Sequence, residues 1–238
     1  MCFSLEMSTI MLIFGSLCTA IASKKLNNKI ALWVGYFTIM QAIHIVGYLT
    51  INDCDNIYNR MASYSNYIHI CFQPLFVLIG YLGLMQFTGN INNTSRIRMN
   101  YALYVAFAIG IFLFTRLFDL HLSIYDNMKY SKQTKKSASC VWCGKTCSYK
   151  GDKHINFSLP LLYPSYITPS LFLHTFGFFI LPLFINKFTA FCSLVVAITT
   201  YVPAYMFNIQ GSEVGTIWCF GSILQAVLVI FLALFFKK

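Results

Sequence analysis

The 238-residue chain is 58% hydrophobic and 10% charged, with a mean hydropathy of +0.65, which leaves too little polar surface to coat a soluble globule. Its formal charge of +10 does not describe a nucleic-acid-binding face. Seven of the seventeen basic residues are lysines crowded between Lys129 and Lys153, and no arginine/aromatic interleaving, RNA-binding signature or helix-turn-helix accompanies them. Such a cluster describes a solvated or headgroup-facing loop.

The apolar residues fall in long runs, each close to the ~20 residues that cross a ~30 Å hydrocarbon core. They predict an all-α fold: a polytopic membrane bundle of about seven transmembrane helices, one domain over 1–238, in contact with the lipid bilayer. The first run is Met7 to Ser23. Its Ala20-Ile21-Ala22 resembles a signal-peptidase site, but no Lys or Arg precedes it while Lys24, Lys25 and Lys29 follow, the pattern of a retained span. The second covers Ile30 to Thr50, the third Ser63 to Phe87 and the fourth Tyr101 to Phe118. A Cys/Lys-rich outer loop then occupies 119–156. The fifth run, Leu159 to Ile185, carries Pro160 and Pro164 at its entrance, Pro169 as a kink and Pro182 near its exit. Phe188 to Asn208 and Gly215 to Phe236 complete the bundle.

Lys24, Lys25, Lys29, Arg96, Arg98, Lys187 and the terminal lysines all fall on one side of this arrangement, so that side is expected to be cytoplasmic and the N-terminus outside. Cys2, Cys54, Cys140, Cys143 and Cys147 then share the outer face, where oxidation is permitted. Cys18, Cys71, Cys192 and Cys219 lie within spans as small packed residues. The sequons at Asn92 and Asn156 fall on opposite sides and read as chance in an asparagine-rich chain.

Polar side chains within the runs point to the bundle interior, because hydrocarbon offers them no partner. Gln41, His44 and Tyr48 share one face of the second run, and Asn66, His69 and Gln73 one face of the third. His44 and His69, each about six residues from the outer end of its run, are expected at similar depth and facing each other. Two readings follow: a shared metal, haem or proton site, or two helices joined by interhelical hydrogen bonds. Pro74 beside Gln73 frees a helix carbonyl and makes a pocket plausible. Tyr166, Ser170 and His174 form a stripe in the fifth run, and Trp218, Ser222 and Gln225 another in the seventh. At the outer rim stand Glu6, Arg116, Asp119, His121, His154 and Glu213. The thiols Cys140, Cys143 and Cys147, with His154 seven residues on, fit a zinc knuckle, a disulfide exchanger using Cys54, or structural disulfides pinning the loop to the connection between the second and third runs.

Several classes are excluded. The last run has no lysine for a retinal Schiff base, and no receptor Asp-Arg-Tyr or Asn-Pro-x-x-Tyr, G-x-S-x-G, H-E-x-x-H or P-loop pattern occurs.

Met1-Cys2-Phe3-Ser4 with Glu6, Gly35-Tyr36-Phe37 through Met40 and Gln41, Gly47-Tyr48, and Tyr67-Ile68-His69-Ile70-Cys71-Phe72-Gln73-Pro74 carry a resemblance, joined by His154-Ile155, His174-x-Phe176, Leu181-Pro182 and Trp218-Cys219. The chain resembles an uncharacterised family of small seven-span membrane proteins, a domain of unknown function found largely in bacteria. The resemblance implies seven spans and a retained N-terminus, and brings no activity. The functional expectation is therefore a cavity in the outer half of the bundle, lined by Glu6, Gln41, His44, His69, Gln73, His174 and Trp218. It would bind a metal or haem through His44 and His69, or a small hydrophobic ligand. The alternatives are a membrane thiol-disulfide oxidoreductase and a small-solute or ion transporter.

Overall fold

The structure is a computed structural model and describes residues 4–115, 117–118, 146–151, 155–159 and 173–201. Among these, four helices are long and apolar enough to cross a membrane: α1 (Leu5–Lys25), α2 (Asn28–Leu49), α3 (Ile57–Phe87) and α4 (Asn93–Thr115). A two-stranded hairpin follows, β1 (Cys147–Lys150) and β2 (Ile155–Ser158), and then two shorter helices, α5 (Leu173–Phe184) and α6 (Lys187–Val196). The run from Gly215 to Phe236 lies outside the described residues, as does most of the 119–156 loop.

The burial pattern is inverted relative to a soluble protein. Ile10, Ile13, Leu17, Leu32, Phe107 and Phe191 are exposed, while Gln41, His44, Asn59, Asn66, His69, Gln73 and His174 are buried. Such an arrangement suits an apolar solvent such as lipid, which apolar side chains face without penalty while polar ones find partners inside.

Asparagine caps set most helix starts. Asn27, Asn56 and Asn186 each accept a backbone N–H of the first turn of α2, α3 and α6. The cap at Asn56 starts α3 two turns before the hydrophobic run, so that α3 is 31 residues long, about 46 Å. Hydropathy placed this start at Ser63 because Asn59 and Arg60 interrupt the apolar run; they are part of the helix.

The all-α expectation needs one correction. β1 and β2 pair antiparallel, Cys147 opposite Ser158 and Lys150 opposite Ile155, where the sequence reading had only loop and the start of the fifth run. The segment Ile155-Asn156-Phe157-Ser158 alternates apolar and polar, the period of a strand, with Ile155, Phe157 and Ser158 buried and Asn156 half-buried.

The hairpin lies on the turn between α2 and α3. Asn59 of α3 treats β1 as a strand would, its amide Oδ1 accepting from Ser148 N at 2.7 Å and its Nδ2 donating to Ser148 O at 2.8 Å and Thr50 O at 2.7 Å. Asn52, in the left-handed region at φ 64°, turns its own backbone N–H to Ser148 O at 3.0 Å and its side-chain oxygen to Lys150 N at 3.0 Å. Asparagine tolerates that conformation better than most residues. Ser63 Oγ meets Ser148 Oγ at 2.9 Å, and Gly47 of α2 has no side chain because Ile155 fills the space. Cys54 and Cys147 stand at disulfide distance, Cα–Cα 4.8 Å, and close a sequence separation of 93 residues. The reading of the loop as pinned to the α2–α3 connection therefore holds for this pair.

The opposite end of the bundle collects most of the described basic residues. Asn27 Nδ2 donates to Gly83 O at 2.8 Å, and Asn186 Nδ2 to Asn90 O at 3.2 Å, tying the α1–α2, α3–α4 and α5–α6 connections together. Lys24, Lys25, Lys29, Arg96, Arg98 and Lys187 thus share one end, as the sequence indicated.

α5 is irregular. Leu173–Thr175 is α-helical, Phe176–Ile180 a π turn and Leu181–Phe184 a 3₁₀ turn. Changing helical pitch displaces carbonyls from their usual donors, and α6 supplies hydroxyls in return. Ser193 Oγ donates to Phe179 O at 3.0 Å, and Thr189 Oγ1 to Pro182 O at 2.8 Å. Gly177 allows this turn to lie against Pro74 of α3, whose ring atoms stand 2.9 Å from where a Cβ would be.

Candidate functional site

His69 and Gln73 lie one turn apart on α3, and His174 sits in the first turn of α5. They join α2, α3 and α5 through a single hydrogen-bonded chain. His69 Nε2 stands 2.8 Å from the backbone oxygen of Tyr36 in α2, Gln73 Nε2 stands 3.2 Å from His69 Nδ1, and His174 Nε2 stands 2.9 Å from Gln73 Oε1. Gln73 falls between the two apolar clusters of the bundle, one including Tyr67, Ile70 and Cys71 and the other Val77, Leu78 and Tyr81.

The donor and acceptor roles follow by elimination. A carbonyl only accepts, so His69 carries its proton on Nε2 and donates to Tyr36. In the neutral ring Nδ1 is then an acceptor and must face the amide nitrogen of Gln73. The amide oxygen is left for His174, which donates from Nε2. His174, as a neutral ring, then carries its proton on Nε2. One backbone carbonyl thus fixes two imidazole tautomers and an amide orientation.

Tyr36 locks the same crossing from the other direction, its hydroxyl donating to His69 O at 2.6 Å. Its ring stacks on His69 with centroids 4.2 Å apart and on Phe76 at 3.6 Å, and Phe37 meets the His69 ring edge-on at 5.9 Å. This clamp holds His69 in one rotamer. Tyr36 was not among the expected lining residues, because it lies off the Gln41–His44–Tyr48 stripe; the only signal was its place in Gly35-Tyr36-Phe37.

The other expected residues are distributed more widely. His44 is buried, five residues from the end of α2, while His69 is twelve residues from the start of α3. At 1.5 Å per residue these depths are about 7.5 and 18 Å, so the two imidazoles do not face each other at one level. The early start of α3 is the reason. Both ring nitrogens of His69 are already engaged, and among the described residues no three His, Cys, Asp or Glu side chains converge as a metal site. The structure thus does not bring His44 and His69 to one level as the sequence spacing implied. Gln41 is buried on the same face of α2 as His44. Asn66 is fully buried with neither amide atom hydrogen-bonded. Tyr48 turns to the hairpin, its hydroxyl accepting from Ile155 N at 3.3 Å. Glu6 is exposed in the first turn of α1 and is not part of the chain. Trp218, His154, Cys140 and Cys143, with the stripe residues Tyr166, Ser170, Ser222 and Gln225, lie outside the described residues.

No curated protein and no solved structure matches the chain. A family model described as a family of unknown function, DUF5765, matches residues 6–238. With its polar chain carried on helices of membrane-spanning length and the match running to the last residue, the protein belongs to DUF5765.

Proposed function

We propose that this is a multi-pass membrane protein that binds a small hydrophobic ligand beside the polar chain joining Tyr36, His69, Gln73 and His174. The observation carrying this reading is the directional chain from Tyr36 through His69 and Gln73 to His174. A side-chain amide in the middle of such a chain transmits orientation but not a proton, since passage would require its imidic acid form. The chain therefore serves to hold two imidazoles and an amide in fixed orientations and is poorly built as a proton wire. Metal ligation at His69 would cost one of its two hydrogen bonds.

The test is solvent extraction and mass spectrometry of purified protein beside Gln73→Leu and His174→Leu variants of unchanged helix content. Loss of a co-extracted compound in both variants is expected. Identical extracts from all three folded proteins would overturn the reading, and a Soret band abolished by His69→Ala would replace it with haem binding.

A transport reading draws on one observation, the π and 3₁₀ turns of α5 next to His174, since such turns mark helices that rearrange. Liposome flux sensitive to Gly177→Ala would favour it. Thiol-disulfide exchange is less well supported, because Cys54 is already engaged with Cys147.

A further inference from the structure

A groove of about 590 Å³ opens between α4 and the 3₁₀ turn of α5 at the basic end of the bundle. That volume is within the ~300–1,000 Å³ typical of small-molecule sites. One wall is a single helical stripe, Arg98, Tyr101, Ala102 and Val105. The other is Leu181, Leu183 and Phe184 of the 3₁₀ turn, with Ile185 at its end. The floor is apolar and only Arg98 places a charge in it.

Arg98 lies five residues into α4, about 7.5 Å from its start, and the exposed Tyr101 ring follows one turn deeper. Arginine outside tyrosine is the order expected at a headgroup boundary. The local charge is also unbalanced. The described acidic residues, Glu6, Asp53 and Asp55, all lie at the hairpin end, whereas Arg96, Arg98, Lys187, Lys24, Lys25 and Lys29 lie at this one.

We propose that the groove binds an anionic phospholipid, its phosphate on Arg98 and one acyl chain along Tyr101, Val105, Leu181 and Phe184. This site is separate from the His69–Gln73–His174 chain and does not depend on its function. The phosphate finds a guanidinium with fork geometry, and the chain finds a wall already facing lipid.

Delipidated protein in detergent is titrated with dioleoyl phosphatidylglycerol, dioleoyl phosphatidylcholine and glycerol phosphate, and bound lipid is counted by native mass spectrometry. Phosphatidylglycerol should be retained at least about fivefold better than phosphatidylcholine, the contribution of one basic residue near a membrane surface. Arg98→Gln should remove that preference, and Val105→Trp, at a half-exposed position, should reduce retention of both lipids by obstructing the groove. Lys24→Gln with Lys25→Gln should leave the preference intact. Equal retention of the two lipids would overturn the proposal, as would a preference that survives Arg98→Gln, falls equally with the two lysine changes, or is competed away by glycerol phosphate at equal concentration.

Discussion

The two ends of the α2–α3 pair solve the same problem in opposite ways. Each must dispose of the helix-terminal polar groups of α2 and α3. At one end a hairpin is laid over the turn, its backbone paired with Asn52 and Asn59 and its first cysteine joined to Cys54. At the other, asparagine side chains close short turns and the surface beside them stays open, cationic and grooved. Tertiary hydrogen bonds and a disulfide tie the first end together, while the second retains exposed cationic groups. The difference suggests that the hairpin end carries the stability and the basic end the lipid contact.

The largest break in that contrast should come from Cys147→Ser or Cys54→Ser. Removing a link across a separation of 93 residues is expected to cost about 2–5 kcal/mol, read as a drop in thermal midpoint that reductant reproduces in the parent protein and does not deepen in the variant. Asn59→Ala comes next. It leaves Ser148 N–H buried without its acceptor and should cost about 1–3 kcal/mol, with faster amide exchange in both strands. Unchanged exchange at Ser148 and Phe157 would mean that the hairpin is held by apolar burial alone.

How much of this was legible in the sequence depends on which force set each feature. The helices were readable because a ~30 Å apolar core demands long apolar runs, and the shared end of Lys24, Arg96 and Lys187 followed from counting crossings. His69, Gln73 and His174 were readable as site candidates because polar groups are costly in hydrocarbon. Their order was not. It depends on the backbone carbonyl of Tyr36, which no side-chain pattern reveals, and on the Asn56 cap, which begins α3 early and separates the depths of His44 and His69. The hairpin was hidden by the lysine-rich stretch before it, and its strand period runs for only four residues on each side. The π and 3₁₀ turns of α5 were marked in sequence only by Pro182, which does not specify pitch.

Between the two ends, Gln73→Leu should have an intermediate effect. It removes one bond within α3, to His69, and one interhelical bond, to His174; interhelical hydrogen bonds in membranes average about 0.6 kcal/mol, so a loss of roughly 0.6–1 kcal/mol is expected. The sharper readout is nitrogen NMR of the imidazoles. In the parent protein both rings should be Nε2-protonated. In Gln73→Leu, His69 should keep that tautomer because Tyr36 still imposes it, while the His174 Nε2 proton loses its amide acceptor and its resonance should shift. A changed tautomer at His69 would mean that the amide, not the carbonyl, sets the chain.

The smallest effect on stability belongs to Arg98→Gln at the open end. Its side chain is exposed, so in detergent the change should stay within about 0.5 kcal/mol. The contrast between the ends is then sharpest when one variant from each is compared in two lipids. Cys147→Ser should be destabilised equally in phosphatidylcholine and phosphatidylglycerol bilayers, because a covalent tie acts through the unfolded chain and is indifferent to headgroup charge. Arg98→Gln should match the parent in phosphatidylcholine and lose only the extra stability that phosphatidylglycerol gives, since a ligand stabilises the folded state solely through the site that binds it. A thermal midpoint for Arg98→Gln that still rises with phosphatidylglycerol as the parent's does would place the lipid contact elsewhere on the basic end.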